Sequence, residues 1–403
     1  MIKQSSFTYD LIVIGGGAAG FFCAINYAVL HPKSKILILE KSSKLLSKVR
    51  ISGGGRCNVT HACFDPKELI AYYPRGAQEL LGPFHYFACG DTMAWFDERG
   101  VDLKIEDDGR VFPESNKSES IIDCFMKEVA KYNIEIKLST AMDAFEKEED
   151  IFKIKSKTQT FLSNNLFLAA GSSPKVWNYL KTKDIPIIDP VPSLFTFNIK
   201  DQKLNDLKGT SLPNVGIKIP AIKTEEDGAF LITHWGISGP TVLKISSRAA
   251  RALAKINYEF EIVLDLLPFH EEEDILNFRK VNGKHFVGGK PMELSKRFWN
   301  YLIEDCKIDK TKNWADLNKK ELTKLIIHLK AWALPVKGKS TFKDEFVTAG
   351  GIDLKAINFK KYESKQISGL FFGGEVINID ALTGGFNFQA AWTSGWIAAN
   401  AME

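Results

Sequence analysis

Gly15, Gly17 and Gly20 stand at G-x-G-x-x-G spacing, and Glu40 follows 20 residues after the last of them. Residues of these types, so spaced, can hold a dinucleotide. The first glycine permits a tight turn, the second lets a pyrophosphate approach the backbone, and the third lets a helix pack closely on a strand. A carboxylate at the Glu40 distance can accept hydrogen bonds from an adenosine ribose. That chemistry needs particular flanking elements. Leu11 to Ile14 form the continuous apolar run of a fully buried parallel strand, and an apolar helical segment runs from Ala18 to about Leu30. The opening of that helix, at Ala18 and Ala19, would aim unpaired N–H groups and a positive dipole end at the phosphates. A second apolar run, Ile36 to Leu39, ends at Glu40 and the adjoining Lys41. The plain alternative is a glycine turn that merely joins two core elements.

A second glycine-rich loop reads Ser52-Gly53-Gly54-Gly55-Arg56-Cys57-Asn58. Three successive glycines suit neither helix nor strand, but they can present backbone N–H groups as an anion-binding concavity. Arg56 adds a fixed cation and Asn58 an amide that can pair with a polar ring edge. Two such loops suit a long phosphate body carrying a further ring system, which points to FAD rather than NAD. A buried-strand run ends at Ala170-Gly171, a further point where backbone comes near the dinucleotide. Towards the end of the chain, Leu370 to Phe372 lead to Gly374 and Glu375, whose carboxylate can bond ribityl hydroxyls. Asp380 and the turn Gly384-Gly385-Phe386-Asn387 then open a helix. Its N-terminus would favour negative charge on the flavin pyrimidine edge. The chain thus begins and ends in one nucleotide-binding domain.

The intervening chain has a different texture. The sequence divides into a first part of the FAD domain over 1–189, a β-rich insertion over 190–270, a helical insertion over 271–336, and the C-terminal FAD part over 337–403. Pro335 to Lys339 reads as a linker. Within the β-rich part, His234 and Trp235 occupy a glycine-rich bend. His234 reads either as a proton donor or orienter on a substrate-facing loop, or as a histidine tying down its own turn, the latter favoured. The 403 residues are 45% hydrophobic and 25% charged, an ordinary soluble composition. A formal charge of +4 argues only weakly for a polyanionic partner. Residues 271–335 carry 13 Lys/Arg against 10 Asp/Glu, a balance typical of solvated helix faces. Six scattered cysteines without a C-x-x-C pair suggest neither a disulfide framework nor a zinc site. No signal-peptide layout or long apolar span is present, so a cytoplasmic setting is expected, with no membrane and no metal.

With these blocks assembled, the chain resembles the bacterial aminoacetone-oxidase family, also described as BaiN-type NAD(P)/FAD-dependent oxidoreductases. The resemblance rests on Gly15 to Gly20, the S-G-G-G-R-C-N block, Thr233-His234-Trp235-Gly236 and T-G-G-F-N. It implies an α/β fold: a Rossmann-like FAD-binding domain, glutathione-reductase-like, with an inserted β-barrel-like domain carrying a helical piece. Family-like FAD contacts would fall on Gly15, Gly17, Gly20, Glu40, Gly53 to Asn58, Gly171, Glu375 and Gly385 to Asn387. Where the family commonly has Asn, this chain has His61, which alters that loop's outer hydrogen bonds. The expected activity is hydride transfer between flavin N5 and a small organic substrate, with NADH or NADPH as a candidate partner. Two alternatives stand beside it. One is thiol–disulfide chemistry through Cys57 and Cys63, and the other a flavin-carrying RNA-binding or RNA-modifying protein, although nucleic acid is not the expected partner.

Overall fold

A computed structural model describes residues 3–289, 291–340 and 347–402, with side chains from residue 8 onward. The chain forms two compact units, one from residues 1–191 and 343–403, the other from 192–342. Of the residues read as a β-rich and then a helical insertion, 190–191 fall in the first unit and 192–336 lie together in the second.

In the first unit, five parallel strands lie side by side in the order Glu135–Lys137, Ile36–Leu39, Lys3–Ile14, Gln159–Leu168, Leu370–Phe372. Leu11 to Val13 and Leu37 to Ile38 are completely buried, which is why they read as unbroken apolar runs rather than alternating ones. An antiparallel hairpin, Ala144–Glu148 with Ile151–Lys155, extends from Gln159–Leu168. The helix Ala18–Leu30 follows the first strand, and the helix Phe386–Ala401 lies against it. Both are apolar around most of their circumference because both are covered on several sides. Glycine sets how close they come. A Cβ on Gly20 would stand 2.0 Å from the Gly15 carbonyl oxygen, and one on Gly395 would stand 2.8 Å from the Ala19 oxygen. No larger residue fits at Gly20, against the preceding turn, or at Gly395, where the two helices cross.

The second unit contains a seven-stranded antiparallel sheet. Its order runs Trp332–Lys337, Glu259–Asp265, Ser211–Ile219, Thr224–Thr233, Gly236–Ser238, Thr196–Asn198, Lys339–Ser340. The first and last strands in this order are consecutive in sequence, separated by Gly338 alone. Gly338 donates its N–H to the oxygen of Tyr258, just before the second strand (2.9 Å), and its carbonyl accepts from the N–H of Asn198 in the sixth (3.1 Å), so it bonds towards both ends of the order. The sheet therefore curls into a barrel whose seam is Gly338, at φ 92°. This corrects the linker expected at Pro335 to Lys339. Trp332, Leu334 and Val336 point inward while Ala333, Pro335 and Lys337 are exposed. A proline is compatible with such a strand at the margin of a sheet, where its missing N–H costs no ladder bond. Helices Pro240–Arg248, Glu272–Val281, Lys296–Asp305 and Lys319–Lys330 belong to the same unit. Among the described residues, no helix is long and apolar enough to cross a membrane.

Candidate functional site

The first unit gathers most of the residues singled out in sequence at the C-terminal ends of its parallel strands, the usual ligand end of such sheets. Gly17 is the N-cap of the first helix, in extended conformation, and no side chain caps that end. A Cβ added there would meet nothing within 4 Å. The helix thus presents its opening N–H groups, Ala18 and Ala19 included, beside open space. Glu40 lies beside the same turn. One carboxylate oxygen accepts from Gly16 N–H (2.7 Å), the other from Ser42 N–H (2.8 Å), and each keeps a further lone pair for a ribose hydroxyl. Lys41, next in sequence, is exposed.

Glu375 also comes near the opening of the first helix. A Cβ on Gly374 would come within 3.1 Å of the Ala19 Cβ, and the nearest atom to a Cβ on Gly171 is a Glu375 carboxylate oxygen at 4.0 Å. The opening of the first helix, the Ala170-Gly171 turn and Glu375 are therefore neighbours, although they lie more than 350 residues apart in sequence at the extremes. Glu375 is ion-paired with Lys48, which the sequence reading missed because nothing in its local pattern marks it. Gly374 N–H donates to Ser394 Oγ (3.1 Å). Tyr362, Gly374, Glu375, Ile377, Asn387 and Ser394 line one small cleft here.

The second glycine loop breaks its helix at Ser52 (ψ 149°) and carries φ of 58°, 70° and 87° at Gly53, Gly54 and Gly55. Space is open above Gly54 and Gly55. Arg56 stacks its guanidinium 3.8 Å over the Phe112 ring and pairs with Glu106 at 2.5 Å, so its charge is already partnered. Asn58 turns inward. With the amide oriented to satisfy its neighbours, Oδ1 accepts from Gly385 N–H (3.0 Å) and Nδ2 donates to the Thr60 (3.0 Å) and Val111 (3.3 Å) oxygens. It ties this loop to the mouth of the final helix.

Further bonds strengthen that tie. Gln389 Oε1 accepts from Thr60 Oγ1 (2.6 Å) and Thr92 Oγ1 (2.9 Å), and Trp392 Nε1 donates to the Val59 oxygen (2.9 Å). Asn387 holds the Ala381 backbone at both N–H (3.0 Å) and oxygen (3.2 Å). Asp380 is fully buried with both carboxylate oxygens on the Arg75 guanidinium. It positions the loop 380–385 from behind. Gly384 lies against Phe386, whose ring clusters with those of Tyr72 (4.2 Å) and His61 (4.6 Å), the latter two 5.8 Å apart. His61, the departure noted in sequence, thus makes a stacking contact and places Nε2 3.1 Å from the Asp108 oxygen.

Burial pushes the His61 imidazole below its ordinary pKa, against a smaller upward pull from Asp108. The unfolded chain then binds the proton more readily than the folded one. Stability contributed by neutral His61 is full above about pH 6.5 and declines as pH falls towards the lowered value. Chemical denaturation at about pH 7 and about pH 5 should show this acid-side loss in the wild type and a smaller one in His61→Phe, which keeps the stack.

The thiols bear on the disulfide alternative. All six cysteines are free and buried. Burial pushes the Cys57 thiol up to about 12 and the Cys63 thiol up to about 11. Nucleophilic thiols are shifted the other way. Thiol titration of the native protein near neutral pH should therefore find no rapidly reacting cysteine. The count should not rise after dithionite reduction; a gain of two thiols would revive the redox pair.

His234 belongs to the second unit. It forms the exposed tip of the two-residue hairpin between Thr233 and Gly236, edge-on to Trp235 at 4.1 Å. Trp235 Nε1 donates to Thr196 Oγ1 (2.9 Å), so the turn is held by the tryptophan and the histidine side chain faces outward.

Known proteins resemble this chain over nearly its whole length. The model of the HI0933-like protein Rossmann domain family matches residues 9–401. A ribosomal RNA dihydrouridine synthase of Haemophilus influenzae is 29% identical, over 96% of this chain and 97% of its own. A 3-dehydro-bile acid delta(4,6)-reductase of Clostridium scindens is 25% identical, over 96% and 98%. Among solved structures, a 3-ketosteroid-delta4-(5alpha)-dehydrogenase from Rhodococcus jostii RHA1 superposes with a TM-score of 0.53. It covers 100% of this chain and 99% of its own at 12% identity, a likeness of fold.

Proposed function

The chain belongs to the HI0933-like family, an FAD-binding Rossmann family of flavoprotein oxidoreductases, and from that premise we propose that it reduces a carbon–carbon double bond conjugated to a carbonyl. The observation that carries this reading is the pair of full-length relatives. Making dihydrouridine saturates the C5–C6 bond of uracil, conjugated to its C4 carbonyl. A delta(4,6)-reductase acting on a 3-dehydro bile acid saturates a bond conjugated to the C3 carbonyl. The two substrates differ in everything except this group. The more similar relative favours a uracil base of ribosomal RNA as the substrate, and the steroid-like enone is the second reading. On this reading nucleic acid, which the sequence made an unlikely partner, would be the substrate.

FAD, when bound, supplies a hydride for the β-carbon of the conjugated bond, and a proton joins the α-carbon. The residues present fit the cofactor. The uncapped first helix, with nothing above Gly17, would take the pyrophosphate. Glu40 would take the adenosine ribose, and Glu375, oriented by Lys48, the ribityl chain. The open faces of Gly54 and Gly55 and the opening of the final helix would meet the ring system. Arg56, Asn58 and Asp380 hold these loops in place from behind. His234 stands as the candidate proton donor read from the sequence. NADH or NADPH is the proposed source of electrons, as in the BaiN-type description.

The test is anaerobic. FAD-loaded protein bleached with NADH or NADPH should regain its colour on addition of deproteinised ribosomal RNA, and nuclease digestion followed by mass spectrometry should find new dihydrouridine. Recovery with a 3-keto-4-ene steroid but not RNA would favour the second reading. If neither restores colour, the proposal fails.

A further inference from the structure

Two surface segments of the second unit face each other across a short backbone ladder. Val287 N–H donates to the Lys312 oxygen (2.8 Å) and Gly288 N–H to the Lys310 oxygen (3.0 Å). Trp314 N–H donates back to the His285 oxygen (3.0 Å), and Ala315 N–H to the Gly283 oxygen (3.1 Å). Arg279 stitches the same seam by donating to the Trp314, Ala315 and Leu317 oxygens. The ladder concentrates charge that is diluted in the sequence as a whole. Residues 279–289 and 306–315 hold Arg279, Lys280, Lys284, Lys307, Lys310 and Lys312 against a single acid, Asp309. Asp309 is occupied by Thr311, at 2.9 Å from its N–H and 2.8 Å from its Oγ1, and Lys312 is paired with Glu321 at 2.7 Å. Lys280, Lys284, His285, Lys307 and Lys310 are exposed.

Apolar groups stand among these cations. Phe286, bridged through its backbone to Asn313, is 58% exposed, and Val281 at the end of its helix is 83% exposed. Phe286 thus leaves more of its surface to solvent than it covers, in a segment that also carries Lys284. The acidic residues Glu272, Glu273 and Asp274 sit in the first turn of the same helix, Glu272–Val281. They lie about 8–12 Å from the basic end, at about 1.5 Å per residue. The helix is thus polarised, and a polyanion would be drawn to one end and repelled from the other.

We infer that this ladder, centred on Lys284, Phe286 and Lys310, is an RNA-docking surface, its lysines meeting phosphates and Phe286 stacking on an unpaired base. The combination fits single-stranded nucleic acid, where aromatic faces take bases and lysines follow the backbone. The inference deepens the functional reading and rests on it in one respect only: an enzyme acting on uracil in RNA needs a place to hold the RNA.

The experiment uses the full chain with FAD bound and a fluorescein-labelled oligouridylate of about 20 nucleotides, long enough to span a single-strand site. Anisotropy is followed between about 50 and 200 mM salt. The wild type should bind with steep salt dependence. Lys284→Glu/Lys310→Glu should weaken binding about 100-fold and reduce the log–log salt slope by about 1.4, at about 0.7 per lost phosphate contact. Phe286→Ala should weaken it about tenfold with the slope unchanged, as loss of stacking rather than charge requires. An unchanged flavin spectrum and melting curve certify that the variants are folded. Wild-type failure to bind, variants that bind as the wild type does, or capture of phosphatidylglycerol vesicles in place of RNA would each overturn the surface. RNA bound through these residues with no dihydrouridine formed would leave the surface standing and sink the functional reading instead.

Discussion

Replacing Gly17 with aspartate is expected to yield a colourless protein that melts no lower than the wild-type apoprotein. The two effects have opposite signs, which makes the result hard to mimic by misfolding. Gly17 is extended (φ −101°, ψ −169°), a conformation any residue adopts, and its Cβ position is empty to 4 Å. Asp is among the best N-cap residues, and against Gly it gains the helix a few tenths of a kcal/mol. A carboxylate there also occupies the N–H groups that a pyrophosphate would use and repels its charge. At roughly 4 Å and an effective dielectric of about 20, one like-charge pair costs about 4 kcal/mol, on the order of a thousandfold in affinity. Flavin absorbance of the purified protein and FAD titration of the apoprotein give the answer. Gly17→Asp protein that remains yellow at full stoichiometry would refute the assignment of this helix end to the phosphates.

Asp380→Ala should be the most destabilising single change at the site, at about 3–5 kcal/mol, because it takes a buried carboxylate away from a buried guanidinium. Asp380 has no exposure, and Arg75 keeps only 13% of its side chain in contact with solvent. The removed carboxylate is also what anchors the loop leading to Gly384 and Gly385, so FAD affinity should fall with stability. Arg75→Met/Asp380→Leu should recover much of the lost stability, since a buried ion pair is often replaceable by apolar residues of like volume. Urea denaturation of the single and double variants measures both expectations. If Asp380→Ala costs less than about 1 kcal/mol, as for an exposed pair, the pair is not what holds the loop.

These two positions also mark the limits of reading the sequence. The Gly17 turn was legible because its chemistry is local: strand, glycines, helix and Glu40 fall within one short βαβ stretch, and each local preference agrees with the others. The role of Asp380 was not. Its partner lies 305 residues away, and no periodicity links Arg75 to it. Asn58 shows the same limit: its type suggested a ring-edge contact, whereas its amide is spent inside on Gly385. The Pro335 to Lys339 stretch failed for another reason. Proline and glycine together read as a linker, and only a margin position in a closed sheet makes them compatible with strand. Charge misled by averaging, because the near balance over residues 271–335 conceals a local excess around Lys284 and Lys310 that appears only when two separate segments are brought together.

The crossing of the first and last helices has a consequence for synthesis. The residues from Ala19 to Ala28 are all buried, in part beneath a helix that begins only at Phe386. At roughly 5–20 residues per second, the ribosome takes on the order of 20–70 s to make the intervening chain. For that interval the nascent nucleotide-binding half has an adhesive, uncovered helix, while the contiguous stretch 192–342 has all it needs to collapse first. Chaperone dependence during translation, relieved when a peptide of the final helix is supplied in trans, is the behaviour such an arrangement imposes.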